Sequence, residues 1–232
     1  MFKVGDSFEI EWVDIPDPDA APGPYTESGA NNPDTGTRTV SGPFRQAREL
    51  GALRMSRGEG IWWSAKAKGF YLTDTSFGYE ATGTPPRAGR GLGAIWAYMP
   101  SRTNPERGRM ILVHAPSARV AGNNVDNITI SPRGGIITCD DGANVVDAFG
   151  AGQRVMGYTP AGLAYILAKS NVVFSAADIA RIGRTGQFNP GDYRGAEFAG
   201  ACFDPAGRTL YVNNYSPGIT FAITGPWGAG NL

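Results

Sequence analysis

Four stretches of this chain place charged side chains where chemistry could be done: Arg57 and Glu59 in "RGEG", Asp126 in "VDNI", Asp140 and Asp141 in "CDDG", and Glu197 in "AEFA". Carboxylates gathered without histidine or cysteine clusters select hard cations, Ca²⁺ or Mg²⁺. Asn127, beside Asp126, offers a carbonyl oxygen of the kind Ca²⁺ accepts. Arg57 and Glu59, two apart on an extended segment, project to the same side. A guanidinium beside such carboxylates suits a tetrahedral oxyanion such as phosphate, because its fork matches two oxygens. Each acid alone also reads as an ordinary turn residue, and Arg57 could simply pair with Glu59 at a surface.

The acids gain weight from the elements that carry them. Glu59, Asp126 and Glu197 each precede an apolar-biased strand, then a glycine turn at Gly69, Gly134–Gly135 or Gly207, then a returning strand that ends polar in "TDT", "CDDG" or "NNY". The acids lie 67 and 71 residues apart (126 − 59 and 197 − 126). That spacing, with about four strands per unit, is what blades of a β-propeller produce, and equivalent acids on equivalent strands would converge on the central channel. A β-sandwich is the competing architecture. "CDDG" ends the strand that begins after Asp126, so Asp140 and Asp141 are second candidates for the same cation.

Composition agrees with an all-β chain. Gly 33, Pro 17 and 25 aromatic residues (5 Trp, 9 Tyr, 11 Phe) favour short strands and frequent turns. Five hairpins are legible: "GIWWSAKAKGFYLTDT", "LGAIWAYMPSRTNPERGRMILVHAP", "NITISPRGGIITCDD", "RVMGYTPAGLAYILAKS" and "GACFDPAGRTLYVNNY". Proline followed by glycine presets several of their turns. Short helices are expected over 44–55 and 175–183, the second capped by Ser175. Residues 1–43 read as an N-terminal strand and an extended Pro/Gly-rich arm, with the loop proper at 16–43, and residues 44–232 as a partial propeller domain.

The 21 basic and 21 acidic residues cancel, which removes any electrostatic case for nucleic acid or an anionic membrane. No stretch approaches the about 18 apolar residues of a membrane span. The opening "MFKVGDSFEIEWVDIP" is too charged for a signal peptide. Cys139 and Cys202 match no short zinc spacing and read as one disulfide or, preferably, two buried thiols. His114, in an apolar strand, reads as a packing residue.

"RGEGIWW", "VDNITISPRGGIITCDDG" and "EFAGACFDPAGRTLYVNNYSPGITFAITGPW" resemble, in the same order, the C-terminal half of PhoX-type alkaline phosphatases, from about residue 44 to residue 228. The resemblance implies a six-bladed β-propeller that hydrolyses phosphomonoesters at a buried calcium and iron (Fe³⁺) cluster, in the periplasm or outside the cell. Position by position, it implies that Arg57 contacts phosphate and acts in catalysis. Glu59 and Glu197 would bind metal, with Asp126 as the preferred aspartate and Asp141 or Asp140 behind it.

Family members are longer, and their other half supplies further ligands, including an iron-binding cysteine that neither Cys139 nor Cys202 matches. About three blades, half of a six-bladed ring, would leave strand edges open. The chain is therefore expected to be a fragment, a split half completed by another chain or a homo-oligomer, or a half-propeller with a new use. Two functions follow: a phosphatase portion, or a catalytically inactive structural or assembly subunit. A sugar- or lactone-binding propeller rests only on "DN" before a strand.

Overall fold

Turn chemistry and period-two alternation decide where the chain pairs with itself. The computed structural model describes residues 2–26, 37–79, 88–142, 145–159, 162–229 and 232. Strand β1 (Ser7–Glu11) is followed by a two-stranded ribbon, β2 (Gly23–Thr26) with β3 (Thr37–Val40), and by helix α1 (Gly42–Glu49). Strands β4 (Gly58–Ser64), β5 (Gly69–Asp74), β6 (Ala94–Pro100) and β7 (Arg107–His114) then form a five-stranded antiparallel sheet in the order β1-β7-β6-β5-β4.

A second sheet combines β8 (Val125–Ile130) and β9 (Ile136–Asp140) with two later strands. Between them comes a short ribbon, β10 (Val145–Asp147) with β11 (Gly150–Gly152). The later strands, β12 (Arg154–Tyr158) and β13 (Ala164–Lys169), complete the order β13-β12-β9-β8. After β14 (Val173–Phe174), helix α2 (Ala176–Arg181) and β15 (Gly191–Asp192), a third sheet holds β16 (Phe198–Phe203), β17 (Thr209–Asn214) and β18 (Ile219–Thr224). All five hairpins legible in the sequence are present, in sheets of five, four and three strands.

The middle sheet is buried on both faces, which is why β9 reads as a continuous apolar run. Ile136 joins Ile128, Ile130 and Met156 against Ile95 and Tyr71 of the first sheet. Its neighbour Ile137 points the other way, with Cys139 and Val155, against Leu210, Val212 and Phe198 of the third. Both cysteines are free thiols, and burial pushes the Cys139 thiol up.

Two expectations change in detail. Helix α1 ends at Glu49 rather than 55, because Leu50 caps it and Gly51 adopts φ +81°, a left-handed turn that ends helical pairing. The Pro/Gly-rich stretch expected to be loop contains the β2–β3 ribbon, with Tyr25 edge-on to Phe44 at 5.8 Å. Strand β1 is the outer edge of the first sheet, in register with β7 from Ser7–Ile111 to Glu11–Arg107. Helix α2 has the expected Ser175 cap, with Asp178 returning a bond to it.

Candidate functional site

One edge strand from each of the three sheets, β4, β8 and β16, comes together with the others at β8. A Cβ on Gly60 would stand 2.8 Å from both Asp126 O and Ile128 N, so β4 approaches the β8 backbone closely only because residue 60 has no side chain. Across the other boundary, Gly200 N donates to Asn127 Oδ1 at 3.1 Å. Thr73 Oγ1 donates to Asp126 O at 2.5 Å, which fastens the end of β5 to β8.

These contacts bring the sequence-derived residues together at one end of the sheets. Arg57 stands just before β4, its backbone held by the buried Asp74: Ser56 N and Arg57 N donate to its two oxygens at 3.1 and 2.9 Å. Burial pushes the Asp74 carboxyl up, while those two N–H groups and Ser76 N pull it down. The Arg57 guanidinium reaches Glu59 Oε1 at 3.3 Å and Asp141 Oδ2 at 3.6 Å. It thus joins the first sheet to the end of β9. Its side chain remains half exposed, so it is accessible to a ligand.

Asp126 is buried and oriented by two donors, Thr75 Oγ1 on Oδ1 and Asn127 Nδ2 on Oδ2, each at 3.0 Å. Asn127 therefore works as a clamp: its amide nitrogen holds Asp126 and its carbonyl oxygen receives Gly200 N. Glu197, immediately before β16, is pushed up to about 7 by partial burial and by the negative charges of Asp141 and Asp126, with which it also shares hydrogen bonds. Three carboxylates from two sheets thus share one site, and the energetic mark of their proximity is a proton held on Glu197 near neutrality.

The adjacent aspartates separate. Asp140 is fully buried and accepts from Arg154 Nε and Nη2 at 2.9 and 2.7 Å, while Asn123 N reaches its other oxygen at 3.3 Å. Arg154 also donates to the carbonyls of Val120 and Arg119. Burial pushes Asp140 up to about 6 against the pull of Arg154. Asp140 is therefore a structural ion pair, and Asp141 is the member of "CDDG" that faces Arg57 and Glu197.

His114 is buried with its ring 4.7 Å from Tyr158 and donates from Nε2 to Ala121 O at 3.0 Å, as a packing residue would. Thr75, Asp74 and Asn127 position the site, and sequence reading did not single out the first two. Their signal was the polar end "TDT" of β5, which marks where that strand leaves the core.

An oxygen-only donor set of clustered acids fits a hard dication, and the raised Glu197 carboxyl is what such a set shows without its countercharge. The carboxylates are also hydrogen-bonded from behind, as ligating carboxylates are. Among the described residues no three acidic, histidine or cysteine groups already surround a single point as an ion requires. Iron fits less well. Cys139 is a core thiol pushed toward its protonated form, and Cys202 is a half-buried free thiol within β16.

A family model described as alkaline phosphatase PhoX matches residues 1–218. No curated protein matches the chain. Among solved structures it is similar to "Pseudomonas fluorescens PhoX in complex with vanadate, a transition state analogue", with 22% identity and a TM-score of 0.50. The match covers 77% of this chain and 32% of that one, so the chain spans about a third of the length of that structure. The likeness shows the fold, antiparallel sheets of the β-propeller class with few short helices.

Proposed function

The chain belongs to the PhoX alkaline phosphatase family, and from that premise we propose that it contributes the Arg57 site of a phosphomonoester hydrolase. One observation carries the reading: Arg57 lies within ion-pair distance of both Glu59 and Asp141, beside a Glu197 carboxyl that partial burial, together with the charges of Asp141 and Asp126, raises to about 7. An arginine fork held over a carboxylate cluster is the pairing that a phosphate ester and its cation require.

Asp126, Asp141 and Glu197 would hold Ca²⁺, with Glu59 beside them. When bound, the ion supplies positive charge against the phosphate oxygens. Arg57 Nη2 and its neighbouring nitrogens would grip two phosphate oxygens and hold the charge that spreads over them in the transition state. Glu59 and Asp141 hold the guanidinium in place before substrate arrives, which lowers the cost of ordering it on binding. Thr75 and Asn127 fix both oxygens of Asp126. The cysteines supply no fitting iron ligand. In keeping with the family, the chain would act in the periplasm or outside the cell; no helix among the described residues is long and apolar enough to cross a membrane.

The test is calcium-dependent release of p-nitrophenol from p-nitrophenyl phosphate, together with metal analysis of the purified chain. Wild type should bind calcium and turn over, while Glu197→Gln and Glu59→Gln should lose both. A chain that binds no calcium and hydrolyses nothing would count against an intact site.

A second reading, a structural or assembly subunit, is favoured by the exposed run Ile61, Trp62 and Trp63 on the free edge strand β4, two residues beyond Glu59. Consecutive exposed apolar residues on an edge strand mark a surface that another chain or a second copy covers. Mass measurement in solution separates the readings: an inactive oligomer or complex supports the second, and an active monomer excludes it.

A further inference from the structure

A cavity of about 600 Å³ opens beside the carboxylate cluster, and its charge is the opposite of the cluster's. Lys3, Arg90 and Arg119 line it, and among the described residues its lining includes no carboxylate. In a chain whose charges cancel, three cations around one cavity with no described acid among them is a marked local excess. Arg90 makes no ion pair among the described residues, and the Arg119 guanidinium donates to the neutral Asn123 Oδ1 at 3.3 Å. Three rings complete the wall: Phe2 and Tyr79, both partly exposed, and Phe77, which meets Trp96 edge-on at 5.4 Å.

The floor is built by glycine. A Cβ on Gly91 would stand 2.1 Å from Phe77 O, so the segments 76–78 and 91–93 lie against each other only because residue 91 has no side chain. Two of their amides are spent across the floor, Gly91 N on Ser76 O at 3.1 Å and Gly93 N on Phe77 O at 3.2 Å. The charged groups that an anion would meet are the three cationic side chains. Asn124 connects the cavity to the site: it lines the wall, and its carbonyl accepts Asp141 N at 3.0 Å.

We propose that this cavity is a binding site for an organic anion with an aromatic or flat apolar body. Given the phosphatase reading above, on which this part rests, it receives the leaving group of a phosphomonoester that carries a second negative charge. The ester phosphate sits at Arg57, the ring lies among Phe2, Phe77 and Tyr79, and the second anion pairs with Arg90 and Arg119. Cation and ring surfaces in one pocket select this class over a small aliphatic alcohol.

The binding arm uses 2-naphthalenesulfonate, which carries no phosphate to hydrolyse, titrated calorimetrically into the calcium-free chain. Binding should weaken at least about fivefold in Arg90→Gln and in Arg119→Gln, as expected for loss of a charge-assisted contact at an accessible site. Arg57→Gln should bind as wild type does, and neutral 2-naphthol should bind far more weakly than the sulfonate. Circular dichroism confirms that the exposed-arginine variants are folded. No binding by wild type, equal binding of 2-naphthol, or equal loss in Arg57→Gln overturns the site. The catalytic arm compares 4-carboxyphenyl phosphate with phenyl phosphate. Arg90→Gln should raise KM for the former more than for the latter, and an equal effect on both overturns the leaving-group assignment. Sulfonate binding that depends on Arg90, without any hydrolysis, keeps the anion site and overturns the phosphatase reading and the leaving-group role together.

Discussion

Asp141 Oδ2 stands 3.6 Å from Arg57 Nη2, although 84 residues (141 − 57) separate them and they belong to different sheets. Arg57 enters the first sheet at β4, and Asp141 leaves the second at β9. Their meeting turns two unremarkable sequence features, an arginine before a strand and an aspartate after one, into a candidate site.

If Arg57 holds the phosphate, Arg57→Gln lowers kcat/KM for p-nitrophenyl phosphate by at least about 100-fold, the scale of losing one transition-state donor. Arg57→Lys does not restore it, because an ammonium has no planar fork. The melting temperature stays near wild type, since the side chain is half exposed. Steady-state kinetics beside a melting curve reads both.

Glu197 predicts a pH dependence in the calcium-free chain. Its folded pKa of about 7 lies above the ordinary value of 4.5, so the folded state holds the proton more tightly than the unfolded one. The resulting stability is full below pH 4.5 and is lost as pH rises through about 7. Melting temperatures of wild type and Glu197→Gln should therefore diverge across that window in chelator, with wild type falling relative to the variant. Parallel profiles would show that Glu197 does not titrate there. Calcium should close the gap at pH 8, and its affinity should drop as pH falls below 7.

Asp140 and Arg154 predict a stability effect separate from activity. Arg154→Met leaves a buried, unpaired carboxylate and should cost about 3–5 kcal/mol in urea unfolding. The double variant Asp140→Leu with Arg154→Met should be less destabilised than Arg154→Met alone, because no charge is then stranded. A double variant as unstable as the single would place the main role of Arg154 in its bonds to Val120 and Arg119.

Gly60→Ala tests the packing that assembles the site. The added methyl would press on Asp126 O and Ile128 N from 2.8 Å, so β4 must move away from β8. Stability should fall by about 1–3 kcal/mol, the usual cost of overpacking. Calcium affinity should fall with it, because Asp126 and Glu59 lie on the two strands that part. Calcium titration of the folded variant provides the second readout.

Much of the molecule was legible in the sequence because its causes are local. Alternation and proline–glycine turns placed all five hairpins, and repetition of acid, strand and glycine turn singled out Glu59, Asp126 and Glu197. Arg57 and Glu59 share a face because they are two apart on an extended chain, and the structure pairs them at 3.3 Å. The family resemblance was carried by the same stretches.

Tertiary structure alone decided how "CDDG" divides its work. The pleat dictates that Asp140 and Asp141 part company, but not which of them meets water. That was settled by Arg154, from β12, which draws Asp140 into the dry interior, and by Arg57 and Glu197, which face Asp141 from two other sheets. The cationic cavity was hidden for the same reason: Lys3, Arg90 and Arg119 are scattered along the chain, and only backbone close approach at residues such as Gly91 brings their segments together. Local patterns specify strands and turns, whereas a site built from several sheets depends on which faces the sheets bury against one another.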